Sequence, residues 1–173
     1  TNRYDSTDDP FLNWILSVAN TSVPDHVYSI SYTCQESQLT SSIMASFNIQ
    51  AMKLGAMGTT IVAASGDDGA PGLVVRYFRR SCSYDPVFPA SSPYVVAVGA
   101  TMGPESGRKE VACQADLKGQ ITSGGGFSKY AKRMAYQTHA IKNYFATVNK
   151  TTTTGYSSSG RGYPDVSLAG KYY

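Results

Sequence analysis

The sequence predicts an α/β fold with a parallel sheet flanked by helices, and three stretches carry that prediction. Residues 27–32 read as a strand enriched in Val27, Ile30 and Tyr32, and residues 59–65 as a second strand. Between them Leu39, Ile43, Met44, Phe47, Ala51 and Leu54 recur at helical spacing. Strand, long helix and strand make a unit whose two strands run parallel. Residues 94–99 are continuous in apolar side chains and read as a third strand, buried on both faces.

The remaining elements follow in chain order. Asp8-Asp9-Pro10 is a helix start, because acidic residues favour the positive end of the helix dipole and proline fits the first turn. Phe11, Trp14, Ile15 and Val18 then predict about three amphipathic turns, with Trp14 packing into the core. Ser37 is the expected cap of the second helix, and Gly55 and Gly58 its closing residues. After the second strand, Gly66-Asp67-Asp68-Gly69 reads as an acidic turn at the carboxyl edge of the sheet, where open α/β sheets place their chemistry. Residues 67–92 form a long loop punctuated by Pro71, Pro86 and Pro89. Residues 100–120 suit a surface hairpin and residues 136–148 a weaker helix. Ser123-Gly124-Gly125-Gly126 places three glycines in a row, as a close backbone approach requires.

Composition narrows the function classes. The chain has 173 residues, 42% hydrophobic and 16% charged, enough for one core or part of a larger one. A net charge of +3 with scattered basic residues lacks the dense stripe of a nucleic-acid groove, so no nucleic-acid partner is expected. No apolar run reaches the ~20 residues of a membrane span. No signal peptide opens the chain, so a secretory protein would be present as a mature or trimmed piece. Cys34, Cys82 and Cys113 lack metal-type spacing and are disulfide candidates in an oxidising compartment. Asn20-Thr21-Ser22 and Asn149-Lys150-Thr151 are glycosylation sequons, which lean the same way. His26 and His139 stand in neither a glycine-rich nor an acidic constellation and are not expected to be catalytic. By composition alone, Asp67 reads as a turn residue or cap.

Six stretches in order change that reading. Asp9-Pro10-Phe11-Leu12-Asn13-Trp14, Ser29-Ile30-Ser31-Tyr32, Ala64-Ser65-Gly66-Asp67-Asp68-Gly69, Phe88-Pro89-Ala90-Ser91-Ser92-Pro93-Tyr94-Val95, Ser123-Gly124-Gly125-Gly126-Phe127-Ser128 and Gly160-Arg161-Gly162-Tyr163-Pro164-Asp165-Val166 resemble the sedolisin family of serine-carboxyl peptidases, in particular its tripeptidyl-peptidase branch. The resemblance covers nearly the whole chain. It implies a subtilisin-like fold, with residues 1–173 as the central part of one peptidase domain. It also implies hydrolysis of peptides through an acyl-enzyme, in a lysosomal or other acidic lumen or outside the cell.

By the resemblance Asp67 is the oxyanion-hole aspartate, while Ser31, Tyr32, Ser123, Gly124, Gly125 and Gly126 border the substrate groove. The family's glutamate base and its supporting aspartate would lie upstream of Thr1, and its serine nucleophile and calcium site downstream of Tyr173. This chain alone is therefore expected to be inactive and to hold no metal. Its partners would be a peptide or protein substrate and the rest of the peptidase domain, as the same or a separate chain. The alternative is a non-catalytic homologue serving as a structural or binding subunit. Thr33 departs from the glycine that commonly follows the family's tyrosine, and Arg161 and Asp165 are expected to hold structure rather than touch substrate.

Overall fold

A computed structural model describes residues 9–73, 84–148 and 155–170; Cys82, Asn149 and the arginines at 76, 79 and 80 lie outside them. Helix α1 (Pro10–Ala19) begins where Asp9 Oδ1 accepts the Leu12 amide at 2.8 Å, with Pro10 in the first turn. Its apolar stripe buries Phe11, Leu12, Ile15 and Ala19. Trp14 packs edge-on against Tyr28 at 5.7 Å, at the margin of the core.

Strand β1 (Val27–Ile30) is followed by the short β2 (Cys34–Gln35) and a 3-10 turn at Glu36–Gln38. Helix α2 (Ser41–Ala56) is capped by Thr40, whose hydroxyl accepts the Ile43 amide at 3.3 Å, and not by Ser37. Leu39 is extended and separates the 3-10 turn from the helix, so the Ser37 hydroxyl instead donates to Asp85 Oδ2 at 2.6 Å. Gly55 lies within the last turn of α2, and the left-handed residue that reverses the chain is Gly58, at φ +87°.

The sheet follows from β3 (Thr60–Ala64) and β5 (Val96–Met102), with β4 (Val87–Phe88) between them in sequence. β1, β3, β5 and β9 (Val166–Ala169) run parallel in that order, and β6 (Val111–Ala112) pairs antiparallel with the end of β5. The β5–β6 pair is the hairpin expected of residues 100–120. β2 pairs with β4, and β7 (Gly126–Lys132) with β8 (Gly160–Tyr163), both antiparallel. Helix α3 (Thr138–Thr147) precedes β8.

Two strands differ from the sequence reading. β1 stops pairing at Ile30, opposite Ala63, which leaves Ser31 and Tyr32 beyond the strand. β5 starts two residues later than expected and is not buried on both faces: Ala97 is buried, whereas Val96 is 37% exposed. The physical cause is a one-sided layer. Phe11, Ile15, Phe47, Leu54, Ile61 and Phe88 form a core beneath α1 and α2, with Phe47 and Phe88 edge-to-face at 4.9 Å. Ile61 and Ala63 point into that core, and the neighbouring Thr60, Val62 and Ala64 point the other way. Among the described residues no helix is long and apolar enough to cross a membrane.

Candidate functional site

The site starts from the end of β3. The Ser65 amide donates to Val98 O at 2.9 Å, extending the β3–β5 pairing by one residue. Gly66 then takes φ +99°, a conformation L side chains rarely adopt, and turns the chain off the sheet. Asp67 follows with its side chain exposed at the carboxyl edge.

The turn is clasped to the segment before β7. The Thr122 amide donates to Asp67 O at 2.9 Å, Gly69 N to Thr122 O at 3.0 Å, and Gly124 N to Gly66 O at 2.7 Å. This contact explains Gly124, where a Cβ would stand 2.0 Å from Ser65 O; one on Gly125 would stand 3.1 Å from Tyr163 O. Both neighbours are backbone, but only the first distance is prohibitive, since 3.1 Å asks for a shift of a few tenths of an ångström. Asp67 and residues 123–126 are thus adjacent through their backbones.

The other expected groove residues are placed as follows. The Ser123 hydroxyl accepts the Ala100 amide at 3.0 Å, which anchors the run to β5. Ser31 and Tyr32 continue from β1 at the carboxyl edge, both exposed, and the Tyr32 ring lies 5.5 Å from Phe11. A cavity of about 1020 Å³ opens beside Ser123, Gly125 and Gly126, walled by Phe127, Tyr144 and Tyr163 among others. Phe127 stacks on Phe145 at 5.2 Å, so that wall is an aromatic cluster. His26 sits before β1, at the opposite end of the strand from Asp67, and His139 is exposed on α3.

The buried polar groups around the site were not legible as partners in the sequence. Glu36 is 6% exposed, and Ser128 and Lys129 donate to its two oxygens from 92 and 93 residues away. The Tyr163 hydroxyl accepts the Val87 amide at 2.9 Å. Burial pushes its pKa far above the usual phenol range, Glu36 and Asp85 add to this, and the Val87 amide and Arg161 oppose it. Arg161 is wholly buried and pairs with Asp165 at 2.5 Å, in the structural role expected of both.

Cys34 and Cys113 are both free thiols, and Cys113 donates to Ile121 O at 3.4 Å. Burial first, then Asp9 and Asp85, push the Cys34 thiol up to about 12. A thiol so rarely ionised near neutral pH is a poor nucleophile. Among the described residues no three His, Cys, Asp or Glu side chains are grouped to hold a metal ion.

No family model matches the chain. It is 36% identical over 166 residues, 95% of the chain, to tripeptidyl-peptidase 1 of Macaca fascicularis, and equally to that of Homo sapiens. The chain spans about 28% of the length of these relatives. Among solved structures, Pseudomonas sedolisin, a serine-carboxyl proteinase, superposes with a TM-score of 0.61 at 22% identity, covering 92% of this chain and 40% of that one. At that identity the superposition establishes the shared fold.

Proposed function

We propose, from the premise that this chain belongs to the sedolisin family of serine-carboxyl peptidases, that the complete protein hydrolyses peptide bonds through an acyl-enzyme. In this reading Asp67 stabilises the oxyanion, while residues 31–32 and 123–126 border the groove in which a peptide lies extended. The observation that carries it is the Asp67 turn, presented at the carboxyl edge of β3 and clasped to the glycine run. Backbone lined by glycine lets an extended peptide approach and add as a strand. The serine nucleophile, the glutamate base and any calcium site would be supplied by sequence outside residues 1–173. Likeness to tripeptidyl-peptidase 1 supports release of tripeptides from a free amino terminus as the specificity.

The chemistry dictates a pH range. A carboxyl donates a hydrogen bond to an oxyanion only when protonated, and a carboxylate base still accepts a proton in acid where imidazole is already charged. The complete protein should therefore cleave peptides optimally below about pH 6. A pH–rate profile peaking near pH 8 would overturn the carboxyl mechanism. A folded protein that cleaves no peptide at any pH would leave the non-catalytic subunit as the reading.

An acidic, oxidising lumen or the cell exterior is the compartment this function proposes. Asn20, Thr21 and Ser22 are all exposed just after α1, as an acceptor sequon must be. Intact mass measurement of protein made through the secretory route is expected to find glycan on Asn20, removable by an endoglycosidase. The same spectrum, taken with and without reduction, reads whether Cys34, Cys82 or Cys113 joins another thiol. An unmodified Asn20 would argue against the lumenal assignment.

A further inference from the structure

Both oxygens of the buried Glu36 carboxyl accept hydrogen bonds from a distant part of the chain. Its Oε2 accepts the Lys129 amide at 2.8 Å, and its Oε1 accepts the Ser128 hydroxyl at 2.5 Å. Ser128 has no choice of direction. Its Oγ already accepts the Tyr130 amide at 3.1 Å and the Ala131 amide at 2.7 Å, which uses both lone pairs. The hydroxyl proton must therefore go to Glu36. Both carboxylate oxygens face donors, so an amide at this position would set its own N–H against a donor in either orientation.

The bond network spans the two walls assigned to the groove. Glu36 lies four residues after Tyr32, and its own amide donates to Pro86 O at 2.8 Å. Its partners Ser128 and Lys129 lie just after the glycine run, in the irregular stretch of β7 where pairing with β8 shifts register between Phe127 and Lys132. One buried carboxylate thus joins the chain leaving β1 to the chain leaving residues 123–126.

We propose that Glu36 is a positioning residue that fixes the spacing of the two groove walls, and so sets how tightly the peptide backbone is held. The inference rests on the peptidase reading above and names the residue that maintains that site. Glu36 is buried with both oxygens engaged within the chain, so it acts through the walls and not on substrate. Its loss should weaken binding in ground and transition states alike, which raises KM and leaves kcat nearly unchanged.

The test is Glu36→Gln in the complete protein, with Ser128→Ala as the second variant should the first not fold. Two readouts are taken on folded material: steady-state kinetics, and hydrogen exchange at the Gly124 amide, which bonds to Gly66 O. The expected result is a KM raised about tenfold, kcat within about threefold, and faster exchange at Gly124 in either variant. Wild-type KM and exchange in a folded variant, even one with a lowered Tm, would overturn the inference and leave the peptidase reading standing. A wild-type protein that folds and cleaves no peptide would overturn both.

Discussion

Under the proposed oxyanion role, Asp67→Ala in the complete protein is expected to lower peptide turnover by about 10²- to 10³-fold, the usual cost of removing one oxyanion-hole donor. Folding should be unaffected. The side chain is exposed, and the contacts that hold the turn are made by backbone atoms of Gly66, Asp67 and Gly69 with residues 122–124. Alanine keeps those amides and carbonyls. Asp67→Asn separates donor from acid: its amide donates at any pH, so it should recover part of the lost turnover and extend activity to higher pH. Single-turnover acylation of a peptide ester across pH would read both effects. Unchanged turnover in Asp67→Ala would return this residue to an ordinary turn aspartate.

Arg161→Met should destabilise the protein by about 3–5 kcal/mol, since each buried carbonyl left without its donor costs about 1–3 kcal/mol. The guanidinium is fully buried and serves more than Asp165. Its Nε donates to Ser92 O at 3.1 Å, Nη2 to Val95 O at 3.0 Å, and Nη1 to Gly162 O. It thereby ties β8 to the segment entering β5, while Asp165 Oδ2 accepts the Ala97 amide at 2.8 Å. Methionine matches the stem but leaves two distant carbonyls and a carboxylate without their donor. Urea unfolding should show the loss as a lowered midpoint with an unchanged slope. Adding Asp165→Asn should recover part of it, because the uncompensated charge is removed. A loss below about 1 kcal/mol would mean that water replaces the guanidinium.

The two predictions differ in how far the sequence foretold them. The turn at Asp67 was legible because a turn at the end of an apolar strand is a local feature, while the role proposed for its carboxyl comes from the resemblance. Arg161 and Asp165 were expected to hold structure, but the carbonyl partners of Arg161 at Ser92 and Val95 were not legible. Ser37 looked like the cap of α2 because serine before an apolar period is the usual signal. Tertiary structure redirected it to Asp85, which lies 48 residues away, and the cap passed to Thr40. The apolar run into β5 suggested burial on both faces, yet α1 and α2 cover one face and Val96 lies on the other.

The sequence by itself determined what depends on near neighbours. Helical spacing set α1 and α2, Asp9 and Pro10 set a helix start, and the β1–α2–β3 unit set a parallel pair, because propensity, capping and chain reversal act over a few residues. The tertiary structure decided what depends on distant groups meeting. It brought Ser128 and Lys129 to the buried Glu36, put Ser65 O where Gly124 allows no side chain, and placed the Asp67 turn against residues 122–124. A donor and an acceptor some ninety residues apart leave no periodic trace in the sequence. Their pairing is fixed only when burial removes water and each polar group must find its partner within the fold.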